Sequence, residues 1–84
     1  MPRRLQILLF ASLRERLQQE ALEMDWPGGS LRELRAVLVA LGPAWADFAH
    51  PPRVRAAVNQ VMASEETRVE PGDEVAFFPP VTGG

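Results

Sequence analysis

The 84-residue sequence contains no cysteine and no lysine, and it has a single histidine, His50. Without cysteine, the chain has no disulfide framework, no thiolate metal site and no cysteine nucleophile. One imidazole is too few for a histidine-based metal cluster or for a catalytic triad relayed by histidine. Because all nine basic residues are arginine, the chain also offers an activated carboxyl group no side-chain amine that could attack it.

Long apolar runs are also missing, and the net charge is close to zero. Two arginines near the N-terminus precede an apolar run, but this run is too short for a signal peptide or a membrane span. We therefore expect a soluble, cytoplasmic protein with no membrane partner. The formal net charge is −2 and the arginines are dispersed among acidic residues, so no nucleic-acid partner is expected either. A chain of this length supports one domain with one small core.

Apolar periodicity predicts alternating strands and helices in the first half of the chain. Residues 4–10 and 21–26 have the patterns of strands, the second one closed by a turn at residues 27–29. Between them, Ser12 is predicted to cap a short helix that ends near residue 19. Ser30 and Glu33 have the spacing of a capping box. The helix that follows places four leucines on one face before a Gly-Pro pair ends it: Leu31, Leu34, Leu38 and Leu41.

The second half supplies more strands. Trp45 and Phe48 lie three residues apart, which indicates an irregular or helical turn that packs both rings at the core edge. Residues 53–59 alternate as a strand with Val54, Ala56 and Val58 on one side, and residues 60–63 form a short strand after a turn at positions 59 and 60. A polar loop over residues 65–73 leads to a final strand over residues 74–78. This order predicts an α+β domain with one main helix across one face of a mixed sheet.

Strand parity predicts which apolar side chains point away from the helix, because successive side chains alternate between the two faces of a sheet. The inward set is Leu5, Ile7, Leu9, Val61, Val75 and Phe77. The outward apolar set is Leu8, Phe10, Met62 and Phe78, with Ala76 beside them. An exposed apolar patch of this kind marks a partner surface, unless a loop or a terminus folds over it.

The sequence ends in FFPPVTGG. Pro79 and Pro80 lack amide donors, so they end sheet pairing and keep the chain extended. Gly83 and Gly84 have no Cβ atoms, so a terminal carboxylate could enter a narrow cleft. We expect residues 1–78 to form the domain and residues 79–84 to form a flexible tail that spans at most roughly 20 Å. A frayed terminus without a role is the alternative.

Three segments together resemble the small, sulfur-carrying subunit of molybdopterin synthase: ILLFASLRE at 7–15, AAVNQ at 56–60 and PGDEVAFFPPVTGG at 71–84. The resemblance extends over the whole chain, is strongest in the last fourteen residues and is weakest between residues 22 and 52. It implies a β-grasp, ubiquitin-like fold, which matches the predicted order of elements. It also implies a heterotetrameric synthase in which this chain is the sulfur donor and a large subunit is the catalyst.

The resemblance further implies a chemistry for the tail. In that family a ubiquitin-activating-type adenylyltransferase uses ATP to adenylate the terminal glycine, here Gly84, and a sulfur donor converts the acyl-adenylate into a thiocarboxylate. No cofactor or metal stays bound to the carrier. The tail then enters the active site of the large catalytic subunit, where its sulfur passes to a cyclic pyranopterin precursor. By the same resemblance Gly83 provides clearance, and the large subunit contacts Phe10, Met62, Phe78, Pro79, Pro80, Val81 and Thr82.

Three other functions remain open at this point. A thiamine-pathway sulfur carrier would share the fold and tail but deliver sulfur to a thiazole synthase, and the FFPPVT segment argues against it. A ubiquitin-like modifier would join Gly84 to lysines of target proteins, which the Gly-Gly end permits. A noncovalent β-grasp binding module would have no use for the tail. The sequence does not specify the activating enzyme, the sulfur donor, or molybdenum versus tungsten as the metal of the product.

Overall fold

The computed structural model describes residues 4–80, which contain seven strands, two α-helices and one 3-10 helix. In chain order the elements are β1 Arg4–Leu9, α1 Ala11–Leu17, β2 Ala21–Asp25, β3 Gly29–Ser30, α2 Leu31–Val39, the 3-10 helix Pro43–Ala49, β4 Arg55–Val58, β5 Val61–Met62, β6 Arg68–Val69 and β7 Glu74–Phe78. The main sheet has the order β2-β1-β7-β4-β5, and β3 pairs with β6 in a separate two-stranded sheet. The predicted α+β architecture is confirmed.

The first and last strands lie side by side at the centre of the main sheet. β1 runs parallel to β7, with Ile7 opposite Val75, and both strands have antiparallel neighbours on their other edges. Side chains on the α2 side of the central strands are buried, among them Leu5, Ile7 and Phe77 at 0% exposure. The predicted inward set is therefore confirmed for these strands, and the core lies between the sheet and α2.

Helix α2 begins with the predicted capping box. The Ser30 hydroxyl accepts a hydrogen bond from the Glu33 amide at 3.1 Å, and the Glu33 carboxylate accepts one from the Ser30 amide at 2.8 Å. The hydrogen bonding of the Glu33 carboxylate to Ser30, above all to its backbone amide, lowers the pKa of Glu33 below its ordinary value, with a smaller contribution from the charge of Arg68. The first three leucines of the predicted face are buried. The prediction for the fourth leucine is wrong: Leu41 is 53% exposed, because α2 ends at Val39 and the chain then turns away.

The predicted bounds and cap of the first helix are wrong. Helix α1 begins at Ala11, so Ser12 lies inside the helix and Phe10 occupies the N-cap position without a side-chain hydrogen bond. The Phe10 amide donates to the Phe77 carbonyl at 3.1 Å, which ties Phe10 to the end of β7. The helix ends two residues earlier than predicted, since Gln18 adopts a left-handed conformation with φ of 58°.

The two-stranded sheet was not predicted. Gly29 pairs with Val69 and Ser30 pairs with Arg68, where the sequence predicted a turn and a polar loop. Two-residue strands are too short to show alternation, so tertiary contacts decide their conformation. The indole of Trp26 donates to the Val69 carbonyl at 2.9 Å and holds the loop against the core.

Both aromatic rings of the 3-10 helix are buried, as predicted. The Phe48 ring lies 5.1 Å from the ring of Trp45 and 5.0 Å from that of Phe77, measured between centroids. The sequence did not predict that Arg35 would be buried beside them at 5% exposure. Its guanidinium donates to the Glu65 carboxylate at 2.9 Å and to the Phe48 carbonyl at 3.2 Å, and it lies 5.8 Å above the Phe77 ring centroid.

Candidate functional site

The face of the main sheet opposite α2 carries an apolar patch, which we define as Leu8, Phe10, Met62 and Phe78 together with Ala57 and Ala76. Phe10 is 45% exposed and Met62 is 58% exposed, whereas Leu8 and Phe78 are half-buried. The predicted outward direction of these four side chains is thereby confirmed. Sixteen other apolar residues are buried in the core, so the fold does not need this patch for its interior.

Strand register arranges the patch in two rows. The first row crosses four strands, with Leu8 opposite Ala76, Ala76 opposite Ala57, and Ala57 opposite Met62. In the second row, the bond from Phe10 to the β7 backbone places this residue beside the end of β7, where Phe78 lies opposite Arg55. Met62 lies two strands from β7, a lateral distance of roughly 10 Å. The patch therefore has large side chains at both ends and two alanines between them.

One inward prediction at the sheet edge is wrong. Val61 was expected to face the core, but it is 68% exposed. Strand β5 contains only two residues and lies at the edge of the main sheet, so neither α2 nor a further strand covers the Val61 side chain. Val61 pairs with inward-facing Val58, so it is exposed on the α2 side of this edge and is not part of the patch that contains Met62.

Asn59 fixes the hairpin that carries Met62. The predicted turn is confirmed, since Asn59 and Gln60 both have positive φ, at 50° and 70°. The Asn59 side chain accepts from the Glu74 amide at 3.0 Å and donates to the Asp73 carboxylate at 3.1 Å, and its own amide donates to the Glu74 carbonyl at 2.8 Å. These three bonds lock the β4–β5 hairpin to the start of β7, the strand that precedes the tail.

The tail leaves the sheet beside the patch. Pro79 and Pro80 directly follow Phe78 and are half-buried. Because β7 lies between β1 and β4, the chain departs from the middle of the sheet, at the end where Phe10 and Phe78 are located. Four residues with predicted roles lie outside the described range, and these roles stay predictions: Val81, Thr82, Gly83 and Gly84.

The same face is polar at its opposite end. Gln6 pairs with Glu23 on one side and with Glu74 on the other, so the row next to that of Leu8, on the side away from the tail, carries two carboxylates. Between the two ends, the face changes from acidic to apolar along the strands. Within residues 4–80, no group of three acidic or histidine side chains could hold a metal ion, and no helix is long and apolar enough to span a membrane.

Comparison with known proteins places this geometry in a family. The model of the ThiS family matches residues 7–84. The chain belongs to this family. Two relatives are molybdopterin synthase sulfur carrier subunits, from Escherichia coli (strain K12) at 39% identity and from Haemophilus influenzae at 36% identity. Each alignment spans 80 residues and covers 95% of this chain and 99% of the relative.

Solved structures of this fold include two of particular interest. The small archaeal modifier protein 1 of H. volcanii has a TM-score of 0.76 at 25% identity, covering 93% of this chain and 98% of its own. A chain in the complex of subunits 1 and 2 of molybdopterin-converting factor from Helicobacter pylori has a TM-score of 0.67 at 22% identity, covering 96% and 99%. The expected ubiquitin-like β-grasp fold of this ThiS-family chain is thus confirmed.

Sequence reasoning missed one residue of this face. Arg55 was considered only as the polar half of an alternating strand, yet the register places it opposite Phe78 and inside the second row of the patch. The alternation of side chains along the strand already implied that Arg55 and Ala57 lie on the same face. Only the pairing of β4 with β7 shows that the arginine adjoins an aromatic residue next to the tail.

Proposed function

We propose that this chain is the sulfur carrier subunit of a molybdopterin synthase and carries sulfur as a thiocarboxylate on Gly84. The observation that carries this proposal is the 39% identity to a sulfur carrier subunit over 95% of the chain. The match to the ThiS family extends through Gly84 itself. An apolar patch beside the tail exit is the surface that such a carrier needs in order to dock on an enzyme.

Activation precedes sulfur transfer. A ubiquitin-activating-type adenylyltransferase binds the tail and ATP, and the Gly84 carboxylate attacks the α-phosphorus, which releases pyrophosphate. The resulting acyl-adenylate has AMP as a good leaving group. A donor that supplies sulfur at the oxidation level of sulfide then provides the nucleophile, which attacks the carbonyl carbon, expels AMP and leaves a thiocarboxylate on Gly84. Because the chain contains no lysine, none of its own side chains competes as an amine nucleophile for the activated carbonyl.

Delivery depends on the shape of the tail. In this proposal residues 1–78 are the folded domain and residues 79–84 are a tail whose fully extended length is at most roughly 20 Å. Pro79 and Pro80 keep the first part extended, and Gly83 gives the clearance that a narrow active-site channel requires. The thiocarboxylate enters the large subunit, where its sulfur attacks a carbon of a cyclic pyranopterin precursor. Water then hydrolyses the acyl–sulfur bond, so the sulfur stays on the pterin and Gly84 returns to a carboxylate for recharging in the cytoplasm.

The large subunit binds the apolar patch and the tail together. Phe10, Met62 and Phe78 supply the docking contacts, and four tail residues continue them toward the active site: Pro79, Pro80, Val81 and Thr82. Docking of a rigid domain beside the tail holds the sulfur atom near its acceptor, which is the proximity that catalysis needs. The patch and the tail exit lie at the same end of the sheet, and this arrangement supports the proposal.

Intact mass spectrometry tests the role of Gly84. After coexpression with an activating enzyme and a sulfur donor, we expect one oxygen of the chain to be replaced by sulfur. Deletion of Gly84, or addition of one residue after it, should abolish this change and leave thermal unfolding nearly unaltered, because the proposal assigns Gly84 no part in the core. Sulfur transfer by either variant would contradict the proposal.

A protein modifier is the second candidate, and the similarity to a small archaeal modifier protein favours it. Both functions use an activated Gly84 and differ in the nucleophile that attacks it. If the chain is a carrier, its purified thiocarboxylate form and the large subunit should convert the pyranopterin precursor into a dithiolene, the product of two sulfur deliveries, without ATP. Isopeptide bonds between Gly84 and lysines of many proteins, with no dithiolene product, would identify a modifier. Delivery to a thiazole synthase instead would identify a thiamine-pathway carrier.

A further inference from the structure

Arg55 introduces a charge into an otherwise apolar region of the sheet. It lies opposite Phe78 on β7 and two residues before Ala57, which pairs with Met62. Directly opposed residues in an antiparallel pair have Cβ atoms roughly 5 Å apart. Arg55 is therefore flanked by Phe78 on one side and lies diagonally across from Met62 on the other. Among the described residues in the two rows of the patch, it is the one with a charged side chain.

Arg55 also differs from most arginines of residues 4–80 in forming no ion pair with another residue of that range. Six of the eight arginines within residues 4–80 form ion pairs with aspartate or glutamate: Arg4, Arg16, Arg32, Arg35, Arg53 and Arg68. The two others in this range are Arg14 and Arg55. Arg14 lies in the last turn of α1, where the helix dipole favours a cation. Arg55 lies in a strand, which gives it no such compensation.

The surroundings of Arg55 set a condition on any protein that covers the patch. An apolar partner surface would remove water from the guanidinium, and a desolvated charge without a counter-ion is costly. A partner that places a carboxylate against Arg55 compensates this desolvation and forms a specific, complementary contact. We propose that the large subunit, whose docking rests on the function proposed above, places an aspartate or glutamate against Arg55 and that this ion pair selects the cognate partner.

A cleft next to Arg55 provides room for such a side chain. This cleft has a volume of about 340 Å³, and its lining consists of four apolar residues, Pro51, Pro52, Ala56 and Ala63, and four polar ones, Arg35, Arg55, Ser64 and Glu65. The two prolines and two alanines exclude part of the water from the cleft, and an ion pair is stronger where water is partly excluded. Because the other lining cation, Arg35, is paired with Glu65, a carboxylate that enters the cleft would find in Arg55 a cation without an ion-pair partner among residues 4–80.

Charge-reversal binding measurements test this inference. We would measure the affinity of the large subunit for the wild-type chain, for Arg55→Glu and for Arg55→Leu, at low and at high salt. Arg55→Glu should weaken binding about tenfold or more at low salt and less at high salt, because salt screens the repulsion. Arg55→Leu should weaken binding to a smaller extent and reduce its salt dependence. Arg4→Glu is the matched control, since Arg4 lies at the opposite, acidic end of the sheet, and it should bind within about twofold of wild type.

A second arm identifies the counter-ion. Acidic residues on the docking surface of the large subunit would be replaced by arginine one at a time, and one replacement should restore binding to Arg55→Glu. The inference is overturned if Arg55→Glu binds like wild type, if Arg55→Leu binds more tightly, or if no replacement restores binding. Failure of the wild-type chain to bind the large subunit would overturn the proposed function as well. Normal binding and sulfur delivery by Arg55→Glu would overturn this inference alone.

Discussion

Two arginines three positions apart on α2 show how burial changes the contribution of an ion pair to stability. Arg32 pairs with Glu66 and Arg35 pairs with Glu65, and both nitrogen–oxygen distances are 2.9 Å. The first pair is exposed, with side-chain exposures of 65% and 74%, whereas the second has exposures of 5% and 21%. Removing one member of a buried pair leaves an uncompensated charge, while exposed pairs contribute little.

This contrast leads to a stability prediction. Glu65→Ala leaves the Arg35 guanidinium buried without its counter-ion, so we expect the free energy of unfolding to fall by about 2 kcal/mol. Glu66→Ala is the matched control on the neighbouring residue, with an expected loss below about 1 kcal/mol. Urea unfolding of both variants measures the difference. Equal losses would show that Arg35 reaches water when Glu65 is removed.

Elements of the fold could be predicted where the sequence repeats a pattern over several residues. β1, β7 and α2 were located because five or more residues follow one period, and the capping box fixed the start of α2. β3 and β6 have two residues each and no period, and Arg35 is buried through partners 13 and 30 residues away. The outward direction of Phe10, Met62 and Phe78 followed from parity. The exposure of Val61 could not be predicted in this way, because parity assigns a side chain to one side of the sheet but does not show whether other residues cover it there.

The capping box predicts a pH dependence of stability. The pKa of Glu33 is lower in the folded chain than its ordinary value of 4.5, mainly because the Ser30 amide donates to the carboxylate. A group with a lowered folded pKa contributes its full stability above the unfolded value and loses it as the pH falls through the folded value. The stability difference between wild type and Glu33→Gln should therefore be constant near neutral pH and shrink below pH 4.5.

Urea unfolding of both chains between pH 7 and pH 3 tests this expectation, since glutamine can accept the Ser30 hydrogen bond but does not titrate. Ser30→Ala serves as a second variant and should cost about 1 kcal/mol at pH 7. A difference between wild type and Glu33→Gln that stays constant over the whole range would show that the box does not depend on the charge of Glu33.

At the scale of the whole molecule, the main sheet has two faces on which apolar residues have different roles. The α2 side buries its leucines in the core, and the opposite side exposes Phe10 and Met62 beside the strand that ends in the tail. Apolar residues on the second face therefore do not stabilise the interior. The central position of β7 links the two, because Phe77 packs into the core while its neighbour Phe78 belongs to the patch.

Two aspartate substitutions distinguish a docking face from incidental exposure. Met62 and Leu41 are exposed to similar extents, at 58% and 53%, but Met62 belongs to the patch and Leu41 follows α2 on the other side of the sheet. Neither Met62→Asp nor Leu41→Asp should change thermal unfolding much, since both side chains already contact water. If the patch is the docking surface, as proposed, Met62→Asp places a desolvated charge in the interface with the large subunit and should weaken binding by about 2 kcal/mol, or roughly thirtyfold. Leu41→Asp should bind and deliver sulfur like wild type.

Equal binding of the large subunit by the two variants would show that the docking surface lies elsewhere on the chain. Loss of thermal stability in Met62→Asp alone would show that this edge of the sheet depends on Met62 for its own stability.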